Sequence, residues 1–210
     1  MESCRHILEI GLDTLHVVWT EEQIGRLLAF LKLIEKWNKA YNLTAIRHSE
    51  DMARLHLLDS LAVLPYIKGT RVIDIGTGAG LPGIPLAIFL PETQFTLLDS
   101  NAKKTRFVQQ TVLELKLHNV EVRHSRVEAF RPAQKFDTVI TRAFAAMPAI
   151  MQIAAHLLSK QGVLLAMKGQ NPQDELAEVK VKSSVIPLNT PGVEAERCVV
   201  IIESEAISEG

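Results

Sequence analysis

The sequence predicts an α/β protein: a mostly parallel, seven-stranded sheet with helices on both faces, preceded by a helical extension. Three observations point there. After Gly69, seven short β-rich runs alternate with helical stretches, the pattern of strand–helix–strand units. The first of these runs ends in a glycine-rich turn, Asp74-Ile75-Gly76-Thr77-Gly78-Ala79-Gly80-Leu81-Pro82-Gly83, that leads into a helix. The residues before Gly69 carry helical spacing and no strand-like run. The expected division is therefore a helical extension over 1–66 and an α/β domain over 67–210.

In chain order, Ile24, Leu27, Leu28, Leu31, Ile34 and Trp37 recur at three-and-four spacing and predict a helix from Thr20 to Ala40. Thr20 with Gln23 makes a capping box at its start. Tyr41-Asn42-Leu43-Thr44 reads as a loop, and a second helical stretch follows Ser49, with Glu50 and Asp51 in its first turn, ending before Pro65. The strand runs are Arg71 to Ile75, Phe95 to Leu98, Val120 to Arg123, Phe136 to Thr141, Val163 to Met167, Ser184 to Pro187 and Cys198 to Ile202. The best-marked crossover helix is Ala102 to Leu117, with an apolar stripe at Phe107, Val108, Thr111, Val112 and Leu115 and a cap at Ser100 or Asn101. Only a short helix, Gln173 to Val181, separates the last strands, so the final pair is expected to close as an antiparallel hairpin.

Composition narrows the class. A chain of 210 residues and 23.3 kDa suits one full-sized domain with an appendage. Hydrophobic residues at 47% and charged residues at 22% provide for a buried core and exclude general disorder. Glu2, Arg5, Glu9 and Asp13 interrupt any apolar core of a secretory signal. The longest uncharged runs, 75–91 and 143–159, are too short and too broken by Gly, Pro and His to span a bilayer. Cys4 and Cys198 stand alone, and the seven histidines show no paired ligand spacing, so neither a disulfide nor a metal is expected. A cytoplasmic monomer without membrane association is the expectation. Net charge is −1, but residues 71–170 carry twelve Lys and Arg against seven Asp and Glu, whereas 171–210 carry three against eight. A basic middle suits an anionic ligand or a structured RNA, and equally a surface of scattered cations.

The chemistry gathers at the glycine turn. Glycine lets the chain reverse tightly and lets a ligand touch bare backbone, while Pro82 fits the first turn of the following helix. Open sheets bind nucleotides at such strand ends. Gly78, Gly80 and Gly83 fit G-x-G-x-x-G with Asp99 about 20 residues on, as a dinucleotide site requires. Alternatively the turn starts at Gly76 with Asp74 just before it. A carboxylate at 74 would repel a pyrophosphate but suits a cationic amino group, which S-adenosylmethionine carries. Asp99, at the end of the second strand, can accept from both ribose hydroxyls of either cofactor, or belong to the cap of the next helix. Glu128 falls after the third strand, where an adenine would lie or where a loop carboxylate would be solvated.

These residues also carry a resemblance. Lys36-Trp37-Asn38-Lys39-Ala40-Tyr41-Asn42-Leu43-Thr44, His56-Leu57-Leu58-Asp59-Ser60, Asp74 to Pro85, Leu97-Leu98-Asp99-Ser100, Ser125 to Glu128, Thr141-Arg142-Ala143-Phe144 and Lys168-Gly169-Gln170 resemble, in that order, the RsmG family, also called GidB. Its members are bacterial methyltransferases of small-subunit ribosomal RNA. The resemblance spans nearly the whole chain. It implies a class I methyltransferase (Rossmann-like) fold with an N-terminal helical extension, S-adenosylmethionine as methyl donor, and transfer to N7 of one guanine in 16S ribosomal RNA, as naked RNA or within the small ribosomal subunit. It implies further that Gly76, Leu81, Val127, Glu128 and Arg142 contact the cofactor. The chain departs from the family pattern at Leu55, where a basic residue is usual, and in its acidic C-terminal end.

The residues agree through absences. Methylation at a pyrimidine C5 needs a cysteine nucleophile near the fourth strand, and both cysteines lie far from it in sequence. Exocyclic amine methylation typically uses an Asn or Asp followed by two prolines and an aromatic, where Thr141-Arg142-Ala143-Phe144 stands instead. Guanine N7 offers an in-plane lone pair, so its attack needs alignment and exclusion of water rather than a general base. Arg142 would then hold the cofactor carboxylate or the guanine O6, and Phe144 would stack on the base. Lys168, Arg123, Arg126 and Arg131 are candidates for phosphate contacts. Asn42 and Tyr41 either line the substrate entrance or cap the first long helix. Two rivals remain: a non-catalytic RNA-binding or assembly protein with the same fold, and an NAD-type oxidoreductase.

Overall fold

The computed structural model describes residues 1–142, 145–179 and 181–208. Two long helices, α1 (Glu2–Thr14) and α2 (Glu21–Tyr41), open the chain. The capping box at Thr20 forms as predicted, with the Gln23 amide donating to the Thr20 side chain at 3.2 Å and Gln23 Oε1 accepting from the Thr20 amide at 2.9 Å. A mixed helical run follows: α3 (Ser49–Met52), a π-helical segment (Ala53–Leu58) and α4 (Asp59–Leu61). In the π segment the Asp59 amide reaches back five residues to the Arg54 carbonyl, widening the turn. Sequence periodicity marks the helix here but not its change of pitch.

The α/β region then runs β1 (Arg71–Ile75), α5 (Gly83–Phe89), β2 (Gln94–Asp99), α6 (Ala102–Glu114), β3 (Val120–His124), β4 (Phe136–Arg142), α7 (Met147–Ala154), β5 (Leu158–Lys168), α8 (Gln173–Val179), β6 (Ser184–Pro187), β7 (Cys198–Glu203) and α9 (Ser204–Ser208). Among the described residues the seven strands form one sheet in the order β3-β2-β1-β4-β5-β7-β6. β1 to β5 are parallel; β7 runs antiparallel to β5 and pairs with β6 as the expected hairpin. β5 begins five residues earlier than its apolar run. The segment Ser159-Lys160-Gln161-Gly162 reads as loop because it is polar, yet it continues the strand across an irregularity in the pairing with Phe136 and Thr138. Gly162 sits at that irregularity, where a Cβ would stand 2.9 Å from the Phe136 carbonyl oxygen.

Parallel strands are covered on both faces, and alternate residues divide accordingly. Ile73, Ile75, Leu98, Val139 and Leu164 belong to one apolar cluster with Met147, Ile150 and Leu157. Val72, Phe95, Leu97, Ile140 and Leu165 belong to the other, which continues without a break into Leu8, Leu12, Ile24, Leu27, Phe30 and Leu31 of the first two helices. The N-terminal helices thus share their core with one face of the sheet. Phe30 stacks on Phe107 of α6 with ring centroids 6.5 Å apart, and Trp37 reaches the same ring at 5.7 Å. The π segment meets the carboxyl ends of β4 and β5, where Arg142 donates to the Leu55 carbonyl and Leu55 and His56 share a cleft with Met167 and Lys168.

Candidate active site

The strand order reverses between β1 and β4, the switch point at which open sheets bind ligands. Two clefts flank it. One, of about 380 Å³, is lined by Gly76, Asp99, Ser100, Lys104, Ser125, Arg126, Val127 and Glu128. The other, of about 340 Å³, includes Leu55, His56, Asp59, Arg142, Met167, Lys168 and Arg197 in its lining.

The first cleft is built from backbone turned by glycine. Gly76, Gly78 and Gly80 all take positive φ, at 69°, 59° and 82°, a region that costs other residues strain. The turn is pinned from below. Asp74 is fully buried; its Oδ2 accepts from the Thr77 hydroxyl at 2.6 Å and the Gly83 amide at 3.0 Å, and its Oδ1 has no partner. Burial pushes this carboxyl up to about 7, against the lowering effect of its Thr77 and Gly83 bonds. Gly83 is needed for contact, since a Cβ there would lie 2.2 Å from Leu97 and 2.9 Å from Asp74 Oδ2. Asp99, 9% exposed, accepts from the Gly78 amide and the Asn101 amide, each at 2.8 Å, one on each oxygen. It therefore fixes the turn while facing the cleft, and the cap of α6 falls to Asn101, whose side chain accepts from Lys103 and Lys104.

Of the predicted cofactor residues, the structure brings Gly76, Asp99, Val127 and Glu128 together in this lining and sets Gly78 one hydrogen bond behind it. Leu81, 5% exposed, packs into the core beneath the turn instead of facing the cleft. Asp74 is likewise covered: its carboxylate has no open face for a cationic group, because the turn that it holds closes over it. A polar cleft with bare backbone at Gly76 and two carboxylates suits the hydroxyls of a ribose and the amine of an adenine.

The second cleft is built from charged side chains of distant origin. Arg142, at the end of β4, donates from Nη1 to the Leu55 carbonyl at 3.1 Å and to Asp59 Oδ2 at 3.3 Å. Asp59 Oδ1 also faces Arg197 Nε at 3.4 Å and accepts from the Thr190 hydroxyl at 3.3 Å. Arg142 therefore lines the side of the switch point away from Asp99. His56 is buried beside it; Asn38 Oδ1 accepts from the Thr44 amide at 3.0 Å, and the Thr44 hydroxyl meets His56 Nε2 at 2.8 Å. Burial first, and then the Arg142 charge, lower the imidazole to about 4, so the ring is neutral.

The other expected site residues are placed as follows. Lys168 lines the cleft, but its ammonium is committed to Glu175 Oε2 at 2.8 Å and the Ala145 carbonyl at 2.7 Å, with the side chain 14% exposed. The same lysine holds the Glu175 carboxyl below its ordinary range. Asn42 is exposed and left-handed at φ 49°, the C-cap of α2, and stands outside the cleft lining; buried Asn38 performs the polar role nearby. Arg123 pairs with Glu121 on the surface, Arg131 donates to the Glu128 and Phe130 carbonyls, and only Arg126 of the three faces the first cleft. Phe144 lies outside the described residues. Sequence reasoning gave no role to His56, Asp59 or Arg197. The spacing His56-x-x-Asp59 on a helix was a usable signal for the first two; Arg197, 55 positions beyond Arg142, offered none.

Among the described residues no helix is long and apolar enough to cross a membrane, and no group of three or more His, Cys, Asp or Glu could hold a metal. Comparison with known proteins agrees with the geometry. The sheet is similar to a SAM-dependent methyltransferase from Aquifex aeolicus, with a TM-score of 0.56 at 19% identity over 71% of this chain and 92% of that one. It is similar too to a putative O-methyltransferase from Klebsiella pneumoniae, with a TM-score of 0.58 at 14% identity over 82% and 88%. In sequence, the ribosomal RNA small subunit methyltransferase G of Nitrosococcus oceani is 50% identical over 198 residues, 93% of this chain and 92% of the relative. That of Legionella pneumophila is 49% identical over 201 residues, 95% of each. The family model described as rRNA small subunit methyltransferase G matches residues 23–200. The fold, the paired clefts at its switch point and this match over most of the chain agree: the protein belongs to the GidB family of small-subunit ribosomal RNA methyltransferases.

Proposed function

We propose that this chain transfers a methyl group from S-adenosylmethionine to N7 of a guanine in 16S ribosomal RNA, with the cofactor in the cleft of Gly76 and Asp99 and the guanine in the cleft of Arg142. The observation that carries the reading is the pairing of these two clefts, one lined by carboxylates and bare backbone and the other by compensated arginines, on either side of one switch point. The bound cofactor supplies an electrophilic methyl on a sulfonium.

Asp99 is placed to accept from ribose hydroxyls, since each of its oxygens keeps a lone pair beyond the one backbone bond that it accepts. Glu128 and Val127 border the adenine end, with the 3₁₀ turn over Val127–Ala129 holding both at the rim. Gly76 admits the cofactor against backbone, Gly78 fixes the Asp99 carboxylate from behind, and Leu81 and Asp74 support that turn from inside. Asp74 acts through Thr77 and Gly83, not by a direct ion pair. Arg142 orients the acceptor by its O6 edge, leaving N7 open. No proton has to leave N7, and the one imidazole in the acceptor cleft is neutral and tied to Thr44, consistent with alignment in place of base catalysis.

The test is transfer of labelled methyl to small-subunit RNA and to intact small subunits from cells lacking this protein, followed by borohydride and aniline cleavage. Scission at one guanine is the expected result. Transfer without scission would move the acceptor atom away from N7, and no transfer with cofactor still bound would favour a binding or assembly role.

A further inference from the structure

His56 lines the acceptor cleft from the π segment and is only 7% exposed. Its Nε2 lies 2.8 Å from the Thr44 hydroxyl, which also accepts from the Ile46 amide at 3.1 Å. A hydroxyl has one proton and two lone pairs, so with the Ile46 amide on one lone pair the Thr44 proton is used when it points at Nε2. Nε2 is then an acceptor, and the network assigns the single proton of the neutral ring to Nδ1. That Nδ1 is buried and has no hydrogen-bond partner. The Leu55 carbonyl lies close enough to favour the protonated ring but is out of hydrogen-bonding geometry with Nδ1, and it accepts from Arg142. The ring cannot turn to relieve the orphan without giving up Thr44. Thr44 is itself fastened by its amide to Asn38 Oδ1 at 3.0 Å, and the His56 carbonyl accepts from the Ser60 hydroxyl. Leaving a buried donor unmet costs about 1–3 kcal/mol, and this one stands at the wall of a cleft, where a ligand can meet it.

We infer that the Nδ1–H of His56 donates a hydrogen bond to O6 of the acceptor guanine, and that Thr44 is the positioning residue that holds the ring in the tautomer able to do so. The inference rests on the guanine-N7 reading and adds to it a specificity contact. Guanine presents O6 as an acceptor beside N7 on one edge, whereas adenine presents an amino donor at the same place. Two facing donors would both stay unpaired, so the N–H that admits guanine rejects adenine. A carbonyl oxygen has two lone pairs, so this bond is independent of any other contact to O6. Charge supports it. As the N7–carbon bond forms with the N7 lone pair and the carbon–sulfur bond breaks with its pair left on sulfur, one positive charge passes to the base and no proton is released. A neutral imidazole marks O6 without setting a full positive charge against a base that turns cationic. The neighbouring polar groups of the same segment are taken: the Leu55 carbonyl and the Asp59 carboxylate both face Arg142. Widened π turns recur at functional sites, and here the turn carries the one ring nitrogen still unmet.

The experiment combines nitrogen NMR of the histidine-labelled protein with kinetics on small subunits from cells lacking it. The His56 signals are identified by their loss in His56→Gln. In the unmodified protein they are expected to show a neutral ring protonated at Nδ1, and the Nδ1 resonance is expected to move when guanosine or inosine is added to the protein saturated with S-adenosylhomocysteine, and to stay in place with adenosine. In steady-state assays His56→Gln is expected to lower kcat/KM about tenfold while cofactor affinity by calorimetry stays within about twofold. Thr44→Val is expected to mix the two tautomers in the spectrum and to lower kcat/KM about threefold, and Thr44→Ser, which keeps the hydroxyl, to restore both. Should His56→Gln be unstable, the spectra of the unmodified protein and of the two Thr44 variants decide. A ring protonated at Nε2, an Nδ1 resonance that guanosine leaves in place, or unchanged kcat/KM in folded His56→Gln would overturn the inference, as would loss of cofactor affinity in that variant, which would give the donor to the cofactor. Methyl transfer with scission at one guanine, together with any of these, overturns this inference alone; transfer without scission, or no transfer with cofactor bound, overturns the guanine-N7 reading and this inference with it.

Discussion

The two clefts at the switch point are made in different ways. The cleft at Gly76 and Asp99 is held mainly by backbone: three glycines at positive φ, one buried carboxylate beneath them and a second at the next strand end. The cleft at Arg142 is held mainly by side chains from four segments of the chain, with Arg142, Arg197 and the Thr190 hydroxyl converging on Asp59. In the first, the conformation is set residue by residue along the backbone. The second depends on a balance of charges, any one of which unbalances the rest when removed.

The contrast can be broken most severely at Gly83. In Gly83→Ala the added methyl overlaps Leu97 and Asp74, so a loss of about 2 kcal/mol and a fall in Tm of about 4 °C or more are expected by calorimetry, with cofactor affinity falling alongside. Unchanged affinity would detach the turn from the cofactor. Next in size is Arg142→Gln, expected to lower methyl transfer about 100-fold in steady-state assays while cofactor affinity stays within about twofold. Equal loss of both would move Arg142 to the cofactor cleft and erase the distinction.

The pH dependence of stability sharpens the comparison, because the buried groups of the two regions titrate in opposite senses. Asp74, raised to about 7 from 3.8, favours the fold while protonated, so its contribution falls as pH rises from about 4 to about 7. His56, lowered to about 4 from 6.5, favours the fold while neutral, so its contribution falls as pH drops from about 6.5 to about 4. The slopes oppose each other between about pH 4 and pH 6.5. Melting curves across that range are expected to steepen upward with pH in Asp74→Asn and to turn downward in His56→Gln; parallel curves for all three proteins would remove both assignments. The smallest effect is expected at Arg123, whose partner Glu121 is also about half exposed. Arg123→Ala should change stability by less than about 0.5 kcal/mol in denaturant titration.

Legibility followed the same divide. The turn from Asp74 to Gly83 was readable because tight reversal demands glycine in a contiguous run, and Asp99 because it ends the next strand. The cleft at Arg142 was readable only at Arg142 and Lys168, and Lys168 is paired with Glu175, a partner seven residues away that no periodicity singles out. Asn42 was read as cap or entrance, and it takes the left-handed C-cap position of α2.

The sequence by itself determined the alternation of strands and helices, the glycine turn and the capping of α2 and α6, because each follows from the conformational preferences of neighbouring residues. Tertiary structure alone decided that Asp59 would meet Arg142 and Arg197, that the helix would widen at Leu55, and that Asp74 would be sealed beneath its turn. Those outcomes depend on which distant groups share a low-dielectric site, where the cost of an unpaired charge selects partners that no local pattern specifies.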